Sequence, residues 1–179
     1  MPLNLIKCYP HLLELIHMNE YDRRNSLKGI FDRDITNHPN LCCINKKIRP
    51  TKVDGVTDLD RVLRHLTTHH VDRVDESGKT YKAREFERHR SERLHWLLGH
   101  LEFTIQDEVD VFSTEERDNR KRKTVVRTYL FNETQRYVIV LEPQKSGRDY
   151  YLITAYHLNK SYGLKAIKKR RKKKLDQIH

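Results

Sequence analysis

A chain of 179 residues, 36% hydrophobic and 34% charged, is long enough for one ordinary domain, or one domain with a small N-terminal appendage, under a heavily charged surface. Its formal net charge of +11 favours polyanionic partners. No run approaches the roughly 18 apolar residues of a membrane span, and three cysteines without framework spacing (Cys8, Cys42, Cys43) fit a reducing compartment, which argues against a membrane protein and against a disulfide-built scaffold.

The opening MPLNLIKCYPHLLELIHM lacks a basic n-region and is interrupted at Pro10 and His11, so no signal peptide is expected and the setting reads as cytoplasmic. Residues 3–18 read instead as a short apolar helix, split near Pro10. Residues 25–37 read as a second, weaker helix. LCCINKKIRP (41–50) looks extended, with Pro50 as a stop. Thr57-Asp58-Leu59-Asp60 resembles a capping box with Asp60 in place of the usual Glu. Leu59, Val62, Leu63 and Leu66 then follow at helical spacing, which predicts a helix ending near His70. Asp75-Glu76-Ser77-Gly78 is a turn signal. A longer helix is predicted over 83–103, with Phe86, Leu94, Leu97, Leu98 and Leu101 as its apolar stripe. EERDNRKRK (115–123) reads as a charged loop or strand edge. The pattern then switches to period two. It predicts strands at 124–131, 136–141 and 150–157, with an earlier strand around 107–113. Asn132-Glu133-Thr134 and the segment 143–148 with Ser146-Gly147 are hairpin connections. The fold class is α+β: N-terminal helices followed by a C-terminal antiparallel β-meander.

Eight basic residues and no acid lie between Lys165 and Lys174, so most of the charge excess is a C-terminal tail. Such a block is either a solvated, disordered tail or a nucleic-acid arm, with Lys165, Lys168, Lys169, Arg170 and Arg171 as phosphate contacts. Arg and His are densest over 88–100. His89, Arg93, Trp96 and His100, spaced four, three and four apart, share one helix face; His95 lies beside them with Arg88 and Glu92. The plain alternative is a solvated face whose Arg88, Arg90 and Arg93 pair with Glu85, Glu87 and Glu92. The chemical reading is cleavage of RNA without a metal. That reaction needs a base for the 2′-hydroxyl proton, an acid for the leaving oxygen and cations for the phosphorane. His and Arg supply these. Strand alternation places Tyr150, Leu152, Thr154 and Tyr156 on one face of the last strand, and Val125, Arg127, Tyr129 and Phe131 on one face of the first. If the two faces coincide, Arg127, Tyr129, Thr154 and Tyr156 form one polar patch; otherwise Tyr and Thr are there as good strand formers. Metal ligation is not expected. His65, His69, His70, Cys42 and Cys43 lack the paired spacing of structural zinc, and Asp32 and Asp34 read as capping or salt-bridging acids rather than Mg²⁺ ligands. No phosphate loop, dinucleotide fingerprint or nucleophile elbow is present, and no cofactor is expected.

RHRSERLHWLLGHLE (88–102), followed by a meander ending in DYYLITAYHL (149–158), resembles the barnase–EndoU–colicin–RelE superfamily of metal-independent endoribonucleases, in its phage- and mobile-element-associated branch. The resemblance covers roughly residues 83–165. It implies an endoribonuclease, a toxin or defence effector, that cuts RNA by 2′-hydroxyl attack. It implies His89, Arg93 or His95 as catalytic candidates on the helix, Thr154 and Tyr156 on the last strand, and Arg127 as the basic residue of the first meander strand. Arg88, Arg90, His100 and Tyr129 join the tail as nucleic-acid contacts. The implied partners are RNA (tRNA, rRNA or mRNA) and an inhibitor protein of immunity or antitoxin type. The chain divides into a mainly helical N-terminal extension (1–80), which the resemblance does not explain and which is an antitoxin-like cover, a substrate module or part of the core, a nuclease-like α+β domain (81–164) and the basic tail (165–179). The competing reading is a non-catalytic basic nucleic-acid-binding or adaptor protein.

Overall fold

The computed structural model describes residues 3–50, 52–53, 56–119 and 122–179. Its fold is mixed α and β, with a large, mostly antiparallel sheet. Along the chain come α1 (Glu20–Phe31), β1 (Cys42–Cys43), β2 (Lys46–Pro50), β3 (Lys52–Val53), β4 (Val56–Thr57), α2 (Leu59–Thr67), β5 (Thr68–Val74) and β6 (Thr80–Phe86). Then follow α3 (Arg88–Ser91), α4 (Trp96–Leu101), β7 (Asp110–Asp118), β8 (Lys123–Asn132), β9 (Tyr137–Pro143), β10 (Asp149–His157) and α5 (Ser161–Arg171). The large sheet has the order β1-β2-β10-β9-β8-β7; β3–β4 and β5–β6 form two-stranded ribbons. The last four strands run as an antiparallel meander, and β2 joins β10 in parallel.

The N-terminal helix predicted over 3–18 is only a 3₁₀ turn, Leu3–Ile6. Pro10 has no amide to continue a helix. The buried Asn4 substitutes side-chain bonds: it donates to the Glu14 carbonyl (3.1 Å) and accepts from the Glu14 amide (2.8 Å). The second helix starts earlier than its apolar pattern, because Asn19 caps it by accepting from the Asp22 amide (2.9 Å); it loosens into a π turn at Asp32–Thr36. The α2 cap is Asp58, which accepts from the Arg61 amide (2.8 Å), and not Thr57, whose side chain lies outside the described residues. That helix stops at Thr67 rather than His70, since residues 68–74 pair with 80–86. The same pairing takes residues 80–86 from the long helix expected over 83–103. What remains is α3 and α4, joined by a tighter turn in which the Arg93, Leu94 and Trp96 amides reach carbonyls three residues back. Arg120 and Lys121 of the expected charged loop lie outside the described residues.

Strand β9, YVIVLEP, is buried from Tyr137 to Leu141 without alternation, because both faces of the sheet are covered. On one face, Leu130, Ile139, Leu141, Leu152 and Ala155 pack with Leu13, Ile30, Phe31, Leu63, Leu66, Trp96 and Leu97. This core draws side chains from both sides of residue 80, and β2 pairs directly with β10. On the other face, Phe112, Tyr129, Phe131, Val138 and Val140 pack under Leu158 and Ile167.

The tail is the largest departure from the sequence reading. It folds as α5, with Ile167 1% exposed. Beyond it the chain wraps the outer edge of β7. The Leu175 amide donates to the Ser113 carbonyl (2.8 Å), the His179 amide donates to Ser113 Oγ (2.9 Å), and the Thr128 and Tyr150 hydroxyls donate to the His179 main-chain oxygen. An edge strand is thereby covered. Among the described residues, no helix is long and apolar enough to cross a membrane.

Candidate functional site

The strand face expected to carry Tyr150, Leu152, Thr154 and Tyr156 together is divided by a β-bulge. Leu152 pairs with Leu141, but Thr154 pairs with Val140, so Ile153 is the extra residue. The side-chain parity changes there. Tyr150 and Leu152 face the main core, while Ile153 and Tyr156 join the cluster beneath α5. Thr154 and Tyr156 keep a common face with Arg127 and Tyr129, but that face lies under α5 and opposite the α3–α4 segment. Arg127 is committed there to Asp118 (2.9 Å) and Glu142 (2.7 Å). Tyr129 donates to Glu116 (2.6 Å), and burial with this bond raises its pKa. Thr154, Tyr156 and Arg127 therefore do not converge with the α3–α4 histidines.

Two of those histidines are core residues. His95 is 6% exposed, and its Nε2 donates to the His11 carbonyl (2.9 Å); burial pushes its pKa down to about 4. His100 is fully buried. Its Nδ1 donates to the Trp96 carbonyl (2.7 Å), and its Nε2 accepts from Asn132 (3.2 Å). Asn132 also reaches the Tyr9 hydroxyl (3.0 Å) and Asp107 (3.2 Å), and Tyr9 donates to Asp107, so this network fastens the N-terminal segment to the sheet. Arg88 is paired with Glu92 (2.6 Å). Arg90 donates to the His65 and Thr68 carbonyls (2.9 and 3.2 Å) and ties α3 to the end of α2. In these residues the ion-paired, structural alternative prevails.

His89 and Arg93 differ. The exposed His89 ring stacks on His157 at 5.9 Å between centroids. Arg93 donates to the His89 carbonyl (2.8 Å) and lies 5.1 Å from the centre of the Trp96 ring. Arg136 follows the β8–β9 turn at φ 51°, and its carbonyl accepts from the Leu158 amide (2.8 Å), which fixes it beside His157. Burial pushes the His157 pKa down to about 4, and Coulombic interaction with Arg93, His89 and Arg136 adds to that shift. Its Nδ1 is buried without a hydrogen-bond partner, as is Arg93 Nε. Among the described residues, none of these four forms an ion pair within 4 Å with a carboxylate. Glu92 and Glu87 act on Arg93 at longer range, but Glu92 holds Arg88, and Glu87 accepts from the His89 and Arg90 amides. The stacked His89 and His157 rings thus share one corner of the sheet with the charges of Arg93 and Arg136, a donor set matched to a phosphate.

His157 and Arg136 were not singled out by sequence reasoning. Period-two alternation set His157 opposite Tyr156, which is its position, but nothing in the sequence brings α3 against the end of β10. A cleft of about 260 Å³, lined by Ile35, His38, Leu41, Ile48, Arg49 and Leu152 among others, shares no residue with this corner. Among the described residues no group of three His, Cys, Asp or Glu is placed to hold a metal. Asp32 and Asp34 pair with Lys28 (3.0 Å) and Arg33 (2.5 Å).

Within α5, Lys168 pairs with Glu133, Arg170 with Glu116 (2.6 Å) and Arg171 with Asp110 (2.6 Å). Lys165 and Lys169 are exposed. No family model, curated protein or solved structure matches the chain.

Proposed function

We propose that this protein binds RNA and cuts its phosphodiester backbone without a metal, at the corner formed by His89, Arg93, Arg136 and His157. The observation that carries the reading is the stack of His89 on His157 under the charges of Arg93 and Arg136, none of the four paired to a carboxylate among the described residues. At neutral pH a pKa of about 4 leaves His157 unprotonated and able to accept the 2′-hydroxyl proton. The 2′-oxygen attacks phosphorus, the bond from phosphorus to the 5′-oxygen breaks, and His89 protonates that oxygen. The products are a 2′,3′-cyclic phosphate and a 5′-hydroxyl. Arg93 and Arg136 balance the charge gathering on the phosphorane. A pKa near 4 makes a weak base, but an anion in the corner offsets the two guanidiniums and raises it toward the working range. The setting that goes with this reading is cytoplasmic, in keeping with free Cys8, Cys42 and Cys43.

The test is incubation with tRNA, rRNA and mRNA in EDTA, with and without ribosomes. Cleavage leaving 2′,3′-cyclic ends is expected, falling at least about a hundred-fold in H157Q and H89Q. Intact RNA in every case would sink the proposal. A second reading, a non-catalytic nucleic-acid binder, is favoured by Lys165 and Lys169 of α5, which pair with no carboxylate among the described residues; it predicts binding without cleavage and no effect of H157Q.

A further inference from the structure

We infer that α5 is a track for single-stranded RNA, carried by the outward stripe Tyr162, Lys165, Lys169 and Lys172. This rests on RNA being the substrate and names its form. Helix α5 contains no acid. Its roll about its own axis is fixed by Leu164 and Ile167 in the cluster below and by the ion pairs of Lys168, Arg170 and Arg171. Lys165, Lys169 and Lys172, spaced four and three apart, therefore form a separate, exposed stripe, and none of them forms an ion pair with a described residue. The fold sorts the basic run into cations spent on the sheet's carboxylates and cations left for a partner.

Tyr162 extends the stripe by one turn. It is 67% exposed, unusual for so large an aromatic side chain, and Lys160 Nζ lies 5.8 Å from its ring centre. An exposed ring among cations suits an unstacked base followed by its phosphates; in a duplex the base faces are already stacked. The stripe runs about 15 Å from Tyr162 to Lys172 at the helical rise. Along the chain it starts five residues after His157, past Leu158, whose amide is held by the Arg136 carbonyl.

The experiment measures fluorescence anisotropy of a labelled 2′-O-methyl uridine 12-mer, which cannot be cut because its 2′-oxygen carries no proton. K165Q/K169Q/K172Q is expected to reduce the slope of log affinity against log salt by about 2, at roughly 0.7 per phosphate contact. Y162A is expected to weaken binding of the single strand about ten-fold and of a 12-base-pair duplex hardly at all, with Y162F close to wild type. Urea midpoints of the variants should match wild type, since all four positions are exposed. An unchanged salt slope in the triple variant, equal losses on duplex and single strand in Y162A, or binding to phosphatidylserine vesicles in place of the oligomer would each overturn the track. Failure of the cleavage proposal is separate: uncut ribo-oligomers together with these binding losses leave the track standing. Cut oligomers together with unchanged binding leave only the catalytic corner.

Discussion

Replacing Ile167 by Ala tests whether the basic tail is a structural element. The side chain is 1% exposed and packs with Phe112, Tyr129, Phe131, Val138, Val140 and Leu158. The change removes three carbons, worth about 2.4 kcal/mol at roughly 0.8 kcal/mol each, and leaves a cavity that the sheet cannot fully close. A loss of about 3 kcal/mol is expected, equivalent to a Tm lower by roughly 6–12 °C in a chain of this size. The assay is urea unfolding followed by fluorescence of the single tryptophan, Trp96, which is 2% exposed in the cluster on the opposite face of the sheet. A shift seen there means that α5 is part of the cooperative unit. Lys169→Ala, on the outward stripe, should stay within about 0.5 kcal/mol of wild type. If I167A does the same, or if it frees the tail while the Trp96 transition stays in place, the docking of α5 is wrong. By the same reasoning, deleting 165–179 removes core as well as charge, so substitutions on the outward stripe are the cleaner probe of binding.

Tyr156→Phe, beneath α5, should cut RNA at close to the wild-type rate in the EDTA assay, whereas H157Q should not; a hundred-fold loss in Y156F would return the site to the other face of the sheet. The acid limb of kcat/KM should lie near pH 4, the value to which His157 is pushed, and R136Q should move it upward, because removing a nearby cation favours the protonated ring. An acid limb that ignores R136Q would remove His157 from the base role. His95 and His100 have folded pKa values of about 4 against an ordinary 6.5, so the unfolded chain binds more protons between these values. Their contribution to stability is complete above about pH 6.5 and is lost as pH falls toward 4; the urea midpoint should drop over that window, and H100N should flatten the drop. Asn132→Leu removes the donor to the buried His100 Nε2 and to Tyr9, and should lower stability by about 2–4 kcal/mol in the same urea assay.

Much of the meander was legible. Its strands carry Val, Ile, Tyr and Phe between turn residues, and hairpin pairing is a local decision. The α2 stripe of Val62, Leu63 and Leu66 was legible for the same reason. The long helix over 83–103 was misread because residues 80–86 have a pairing partner at 68–74, and strand pairing outweighs a weak local preference.

The candidate site was half legible. His89 and Arg93 come from the density of Arg and His over 88–100, but density could not separate them from His95 and His100, whose rings the fold buries. A single extra residue at Ile153 split the expected strand face between Leu152 and Thr154, and no composition announces a bulge.

The sequence by itself determined the charge, its concentration in the tail and the periodicity of the strands, because these depend on residue type and near neighbours. Only the tertiary structure decided which charges remain free. It set Glu116, Asp110 and Glu133 under α5, and it brought α3 against the end of β10, where His89 meets His157. Whether a cation is neutralised or available depends on what lies within a few ångströms, and those neighbours come from distant parts of the chain.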